Sequence, residues 1–380
     1  MNFPVTLVIF EGGSVESPLE EEFCRIRQAF VIDLIQKSQQ AGLQKIVLCT
    51  PYVDLAKRAA SYGVEIELEA LGTENFHFGQ RLLQVVSSRN LDRVLYMGGA
   101  SAPLISSDEL QYIGHLLTDH QRVVVANNFY SADIIGFSPG TILQGLVLPA
   151  IDNSLPSAIT QQTDVRFISL QRTLGLQFDV DTPGDLLVLA THPGVGIHTK
   201  QALTSAAFDG SRCTLIKEVI NDPLSELVVF GRVGALLFKY LDEGTRCRIR
   251  LYSEERGLKS LGRDVRGEVI SLFGQLIESL GYSEFFQFLG QICNGALLDT
   301  RILFSHFGWN LSQSDRFYSD LGLTDKIVHP QLREFTQAAF AADIPVLLGG
   351  HSLVTGGLWA LIEASYRIRI DLSNTEKNTI

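Results

Sequence analysis

Two carboxylates with the spacing of a metal site stand in the segment FDVDTPGDL, where one residue separates Asp179 from Asp181. In an extended backbone alternate side chains point to the same side, so this spacing predicts that both carboxylates face one ligand. Paired carboxylate oxygens suit Mg²⁺. The alternative is helix capping by Asp181 or Thr182, with Pro183 opening the helix. Because a cap does not require Asp179, we favour Asp179 as a metal ligand and predict Mg²⁺ at this pair.

Two glycine pairs follow apolar runs and are predicted to form nucleotide-binding turns. A glycine turn after a strand lets the backbone approach a ligand and direct its N–H groups at a phosphate. The pairs stand in IFEGGS and VLYMGGASAPL, and neither has the GxGxxG pattern or the lysine of a phosphate-binding P-loop. A tight structural turn is the alternative. The predicted nucleotide-binding residues of these turns are Gly12, Gly13, Ser14, Gly98, Gly99 and Ser101.

A pair of amides ends a later strand, in VVVANN, at Asn127 and Asn128. Amide side chains at a strand end can read a base edge or a sugar hydroxyl, and they also form turns. We include both residues in the predicted nucleotide site, with the turn as the alternative.

The second half of the chain carries arginines that alternate with aspartates in polar strings such as GRDVRG and DTRILFSH. This pattern predicts either an ion-pair network or a cleft that binds an anion. A histidine in the glycine turn GGHSL would complete such a cleft, and no His or Cys spacing here indicates zinc. The candidates for an anion site are Arg256, Arg301, Arg316 and His351.

Strand and helix patterns alternate through the first half of the chain. Apolar runs at 5–10, 45–50 and 122–128 predict buried strands, and segments with helical spacing lie between the predicted strands. Strands joined through helices form right-handed βαβ units. The predicted fold class is therefore α/β, with a Rossmann-like, mostly parallel sheet flanked by helices.

The second half begins again with a strand, turn and helix pattern in SELVVFGRVGALLFKYL. CRIRLYS, TRILFSHF and PVLLGG are predicted as further strands among several helices. A chain of 380 residues favours two domains. We predict one domain at 1–205 and a second α/β, helix-rich domain of unknown function at 206–380.

The composition disfavours several classes of protein. With 31 Lys and Arg against 42 Asp and Glu the net charge is −11, so neither nucleic acid nor an anionic membrane surface is an expected partner. Five cysteines without a CxxC pair and the lack of a signal-peptide pattern predict reduced thiols and a cytoplasmic protein. No apolar segment has the length of a membrane span. The sequence leaves a homodimer open.

Residues 3–195 resemble nucleotidyltransferases, specifically the guanylyltransferases of molybdenum-cofactor and 2-phospholactate biosynthesis, which have a glycosyltransferase-A-like fold. The resemblance rests on the first glycine turn, on GGASAPLISSDEL and on FDVDTPGDL, which is its most specific part. It implies that the domain at 1–205 transfers a nucleotidyl group from an NTP to a small phosphorylated or anionic acceptor, with Mg²⁺ and release of pyrophosphate.

Two positions differ from the family pattern. The family's first loop carries an arginine and a lysine that hold the triphosphate, whereas residues 14–22 are acidic or neutral here. The family's metal-binding aspartate after the second glycine turn is replaced by Ala100 and Ser101.

Three hypotheses about the function follow from these observations. The first is a divergent nucleotidyltransferase, the second a catalytically degenerate regulatory protein that binds a nucleotide or sugar nucleotide, and the third an activity of the second domain on an anionic small molecule.

Overall fold

The computed structural model describes residues 3–70, 76–258 and 261–365, which form two compact units that alternate along the chain. The first unit contains the residues up to Val15, Cys24–Phe178 and Gly196–Ala202. The second unit contains Glu16–Phe23, Asp179–Val195 and the chain from Leu203 onward. The division into domains at 1–205 and 206–380 stays a prediction. The segment with Asp179 and Asp181 belongs to the second unit.

The first unit is built on a seven-stranded sheet with the order β3-β2-β1-β4-β6-β5-β7. Its strands are β1 (Thr6–Phe10), β2 (Lys45–Thr50), β3 (Glu65–Leu68), β4 (Val94–Gly98), β5 (Val123–Ala126), β6 (Ile134–Ser138) and β7 (Arg166–Ser169). All neighbouring strands are parallel except at β6, which runs antiparallel to both β4 and β5. The sheet is therefore mostly parallel, and the predicted fold class is confirmed.

Helices cover this sheet because each crossover between parallel strands returns along a face of the sheet. Local sequence explains their ends. Ser106 begins one helix by accepting a hydrogen bond from the N–H of Glu109, whose carboxylate accepts from the Ser106 N–H in return. The helices of the chain up to residue 206 are α1 (Pro18–Gln40), α2 (Val53–Ala60), α3 (Phe78–Ser88), α4 (Ser107–Asp119), α5 (Leu155–Gln162), α6 (Leu174–Gln177), α7 (Pro183–Ala190) and α8 (Ile197–Ala206).

The second unit has a four-stranded parallel sheet with the order β11-β10-β8-β9. Its strands are β8 (Glu226–Gly231), β9 (Arg248–Ser253), β10 (Gly295–Asp299) and β11 (Val346–Gly349). The remaining helices are α9 (Ser211–Asn221), α10 (Ala235–Gly244), α11 (Leu272–Leu280), α12 (Tyr282–Ile292), α13 (Thr300–His306), α14 (Gln313–Asp320) and α15 (Pro330–Phe340). A π-helical turn at Leu353–Gly357 leads into a helix over 358–365.

The predicted strand TRILFSHF is wrong, because these residues form α13. The strand is the preceding segment Gly295–Asp299, whose five residues are all buried between β8 and β11. A short apolar run does not distinguish a buried strand from a buried helix, so pairing with both neighbours decided which run became the strand. Within the described residues, no helix is both long and apolar enough to cross a membrane.

Candidate functional site

The crevice between the ends of β1 and β4 is the topological switch point of the first sheet. From β1 the chain passes to β2 on one side, whereas β4 lies on the other side. Ligands of open α/β sheets bind at this point, outside the carboxyl ends of the strands. Phe10 lies beside Gly98 in the strand register, and the Gly99 N–H donates to the Phe10 carbonyl at 2.9 Å. Both predicted glycine turns therefore meet at one edge.

A buried acid lies under these turns. The side chain of Glu11 has no solvent exposure, and Arg27 Nη2 donates to its Oε2 at 2.9 Å. Neither Glu11 Oε1 nor Arg27 Nε has a hydrogen-bond partner among the described residues. Burial raises the pKa of the Glu11 carboxyl, and the charge and hydrogen bond of Arg27 oppose that rise. The turn therefore places a carboxylate where a phosphate cradle carries cations.

The residues of the first turn are open to solvent. Gly12, Gly13 and Ser14 are all exposed, and the Tyr52 hydroxyl donates to the Gly13 carbonyl at 3.1 Å. A Cβ on Gly12 would lie 3.2 Å from Cδ of Pro51, which directly follows β2, so glycine lets this turn pack closely against the end of β2. This turn can present backbone N–H groups to a ligand.

The polar side chains of the other predicted residues bond within the fold. Ser101 Oγ donates to the Gly98 carbonyl at 2.7 Å. Asn127 Oδ1 accepts from the Asp133 N–H at 3.2 Å, and Asn127 Nδ2 donates to the Leu176 carbonyl at 3.0 Å. Asn128 Oδ1 accepts from the N–H two residues on, which is the turn predicted as its alternative role. The structure brings Ser101 and Asn127 to the edge of the crevice but uses their side chains to hold its loops.

Two side chains at this edge were not predicted. The Tyr96 hydroxyl, on buried β4, donates to Asp152 Oδ2 at 3.1 Å. Burial raises the pKa of Tyr96, and the negative charges of Asp152, Asp133 and Glu11 raise it further. Burial also raises the pKa of Asp152. An aspartate in the loop before α5 gives no sequence signal, because only folding carries that loop to β4.

The predicted metal pair lies in the second unit, and a protein group donates to at least one oxygen of each carboxylate. Asp179 Oδ1 accepts from the Val180 N–H at 2.9 Å, and Asp181 Oδ2 accepts from Ser352 Oγ at 3.3 Å. Across residues 3–70, 76–258 and 261–365, no three His, Cys, Asp or Glu side chains are grouped so as to hold a metal ion. Mg²⁺ is commonly bound through one or two carboxylates together with waters and substrate phosphates, so the lack of a third protein ligand does not test this pair. Magnesium at this pair stays a prediction.

The helix-capping alternative is what the structure shows at the next residues. The N–H and the hydroxyl of Thr182 both donate to Asp185 Oδ2, at 2.8 Å and 2.9 Å. Asp185 is fully buried, and its Oδ1 has no partner within the described part of the chain. Burial, followed by the charge of Asp181, raises the pKa of Asp185 well above its ordinary value. The carboxyl of Asp185, which accepts the hydrogen bonds of the cap, therefore holds its proton to a higher pH than an exposed aspartate does.

The four predicted anion-site residues have different environments. Arg301 forms a bidentate ion pair with buried Asp320 at 2.7 Å and 2.6 Å, as the ion-pair alternative predicted. Arg316 Nε is buried and bonds to no described residue, and burial lowers the pKa of its guanidinium. Arg256 is exposed. His351 is also exposed, and it stands in the turn after β11.

Comparisons with known proteins found similarity only at the level of solved structures. No family model matches the chain, and no curated protein matches it. A cytidylyltransferase from Leptospira borgpetersenii is 16% identical over 54% of this chain and 95% of its own, with a TM-score of 0.38. A nucleotidyl transferase from Methanothermobacter thermautotroptrophicus is 12% identical over 54% of this chain and 100% of its own, with a TM-score of 0.39.

A third similar structure is the 4-diphosphocytidyl-2C-methyl-D-erythritol synthase of Anaerococcus prevotii, 10% identical over 54% of this chain and 96% of its own, with a TM-score of 0.33. Two of these three similar structures are thus named as a cytidylyltransferase and a nucleotidyl transferase.

Proposed function

We propose that the first unit binds a nucleotide or a sugar nucleotide in the crevice between β1 and β4, without turning over an NTP there. The observation that carries this proposal is the buried Glu11 under the two glycine turns. The crevice retains the backbone of a phosphate-binding edge, with exposed glycines at Gly12 and Gly13. Beneath it, however, the Arg27 cation is paired with buried Glu11, so the pair presents no net positive charge to a phosphate.

The charge balance supports binding rather than transfer. Nucleotidyl transfer depends on cations that neutralise the charge developing on the phosphates. Arg27, the arginine that contacts Glu11 under these turns, forms an ion pair with it at 2.9 Å. A ligand with one or two phosphates, or with its phosphates directed away from Glu11, meets less repulsion than a triphosphate does.

A second candidate function is transfer of a nucleotidyl group from an NTP to a small phosphorylated or anionic acceptor with Mg²⁺. The segment FDVDTPGDL, which carries Asp179 and Asp181, favours this reaction because it matches the family pattern most specifically. Asp179 and Asp181 are the residues that would hold the Mg²⁺, which would neutralise charge on the phosphates of the NTP.

Both candidates are tested by measuring melting temperatures of the full chain with each NTP, NDP, NMP and with UDP- and GDP-sugars, with and without Mg²⁺. A ligand at 100 times its Kd stabilises the folded state by about 2.7 kcal/mol. We expect at least one nucleotide or sugar nucleotide to raise the melting temperature without Mg²⁺, and no release of pyrophosphate from any NTP. If no nucleotide shifts the transition, both candidates fail.

Two substitutions separate the candidates. Glu11→Gln removes the negative charge from the crevice floor, so we expect it to tighten NTP binding at least threefold in calorimetric titrations. Asp54→Asn removes the same charge from a side chain that is 92% exposed in the same unit, and it serves as the matched control. Asp179→Ala leaves binding unchanged in our proposal. Pyrophosphate release that requires Mg²⁺ and disappears in Asp179→Ala would establish the transferase instead.

A further inference from the structure

An arginine and an aspartate bridge the switch point of the second sheet. From β8 the chain passes to β9 on one side, and β10 lies on the other side. Asp299 is the last residue of β10, and Arg232 directly follows the last residue of β8. Arg232 Nε donates to Asp299 Oδ2 at 2.6 Å, and Arg232 Nη2 donates to Asp299 Oδ1 at 3.1 Å. This is the position where a parallel α/β sheet binds its ligand.

The ion pair orients the guanidinium and leaves part of it available. The Asp299 side chain is fully buried, and that of Arg232 is 11% exposed. Asp299 occupies Nε and Nη2, whereas no described residue accepts a hydrogen bond from Nη1. A Cβ on Gly231 would lie 2.5 Å from Asp299 Cβ, so the close approach of the two strand ends requires glycine at this residue. An arginine held along one edge by a carboxylate can bind an oxyanion through its other edge.

The turn after β11 lies over the same two strand ends. Thr300 Oγ1, directly after β10, donates to the Gly349 carbonyl at 3.1 Å. Val354 Cγ2 would lie 2.9 Å from a Cβ on Gly231, at the end of β8. His351 therefore stands in a loop that crosses the crevice, and it remains exposed to solvent.

The charged groups that face His351 come from three elements: Arg232 after β8, Asp299 at the end of β10, and Asp181 before α7. Desolvation by the surrounding protein, followed by the charge of Arg232, lowers the pKa of the His351 imidazole. The two carboxylates and a hydrogen bond with the Arg232 backbone oppose that effect. At neutral pH the imidazole is therefore uncharged and able to accept a proton.

We propose that the crevice between β8 and β10 binds the oxyanion of a small molecule, with Arg232 Nη1 as its cationic donor and His351 as the adjoining proton acceptor. Both residues belong to the second unit, so this proposal does not rest on nucleotide binding by the first unit. A buried ion pair is on average no more stabilising than apolar residues of the same volume, so stability alone does not account for Arg232 and Asp299 at this edge. Arg256 adds a further exposed cation, with Nη2 4.0 Å from where a Cβ of Gly234 would lie.

The site can be tested by NMR titration of the full chain carrying ¹³C-labelled histidine, with the His351 signal assigned through His351→Asn. Inorganic phosphate is the tetrahedral probe and malonate is the carboxylate probe. An anion bound beside the imidazole favours its protonated form, so we expect one of the probes to raise the pKa of His351 by about one unit. The effective probe shows whether the site takes a phosphate or a carboxylate. If neither probe moves the His351 titration, the proposal is overturned.

Variants show whether Arg232 binds the anion. Arg232→Lys keeps the charge but loses the fork geometry, and we expect the affinity for the effective probe to fall at least tenfold. Arg266→Gln removes an exposed arginine paired with Glu268 in the same unit, and it should leave the affinity unchanged. Equal affinity in Arg232→Lys and the wild type would refute the assignment. If Arg232→Lys does not fold, Arg256→Ala provides the second measurement, with an expected loss of two- to fivefold and an unchanged affinity counting against the site.

Discussion

The carboxylate of Glu11 fills the space beside the Cα of Gly99, where a Cβ would lie 2.8 Å from Glu11 Cβ and closer still to the carboxylate. The turn after β4 thus accepts only glycine at this residue while Glu11 is in place. Glu11, the residue directly after β1, thus places a carboxylate beneath the turn after β4.

Gly99→Ala is expected to destabilise the protein by about 1–3 kcal/mol, because the added methyl group must displace a buried carboxylate. Urea denaturation measures the change. Gly98→Ala is the matched control, because its Cβ would meet Ser101 Oγ at an ordinary 3.7 Å. We expect Gly98→Ala to stay within about 1 kcal/mol of the wild type. Equal losses in the two variants would contradict the packing of Glu11 against Gly99.

Arg27→Met is expected to cost about 3–5 kcal/mol of the free energy of unfolding, because it leaves the Glu11 carboxylate buried without a counter-charge. The double variant Glu11→Gln with Arg27→Met removes both charges and should recover more than half of that loss. A double-mutant cycle from urea denaturation gives the coupling free energy. A coupling free energy near zero would show that the 2.9 Å contact contributes nothing to the fold.

Asp185 should make the protein less stable as the pH rises. Its carboxyl has a higher pKa in the folded state than in the unfolded chain, so the folded state holds the proton more tightly. The associated stability is fully present below the unfolded pKa of about 3.9, and it is lost as the pH rises through the folded pKa.

Asp185→Asn removes this ionisation, and its amide oxygen can accept the hydrogen bonds that Thr182 makes to Oδ2. We expect the variant to be more stable than the wild type at pH 8 by about 1 kcal/mol or more, with a smaller difference at pH 4. Chemical denaturation across this pH range measures both. Asp325→Asn, at an exposed residue of the same unit, should follow the wild-type pH curve. A pH-independent difference for Asp185→Asn would argue against the raised pKa.

Glu67, on the edge strand β3, binds two arginines. Its carboxylate accepts hydrogen bonds from Arg89 Nη2 at 2.5 Å and from Arg81 Nη2 at 2.9 Å. These hydrogen bonds lower the pKa of Glu67, so its contribution is present above the unfolded pKa and is lost as the pH falls through the folded pKa. Glu67→Gln should cost about 1 kcal/mol at pH 7, and less in 1 M salt. Asp54→Asn, which breaks the exposed pair with Lys57, should cost less than half as much. An equal cost for the two variants would mean that the network behaves as isolated surface pairs.

The five cysteines are all free and buried. Burial raises the pKa of Cys49 and Cys213 to about 12, and that of Cys247 and Cys293 to about 11. The thiolate is the reactive form, so fewer than one thiol per chain should react with Ellman's reagent at pH 8 within minutes. All five should react in denaturant. Rapid reaction of two or more thiols in the native protein would show that the burial is incomplete in solution.

The alternation of apolar runs and helical spacing was sufficient to predict an α/β fold with a mostly parallel sheet, because crossovers between parallel strands need helices. The N-terminal cap of α7 could also be predicted from the sequence. Thr182 and Asp185 form the predicted cap, since a helix end is satisfied by residues within four positions of it. Local patterns determined these features because the interacting residues are neighbours in the sequence.

The electrostatic environments of the two crevices depend on contacts between residues that are distant in the sequence. TRILFSHF became a helix because pairing with β8 and β11 placed the strand one segment earlier. Arg27, Arg232 and Asp185 gave no signal of their electrostatic roles, because those roles depend on burial and on partners that only the fold supplies. The position of the two glycine pairs in turns after strands could be predicted from the apolar runs before them, and ligand binding by these turns stays a prediction. That Glu11 lies beneath them, paired with Arg27 from α1, is set by tertiary packing, which alone determines what charge a crevice presents to a ligand.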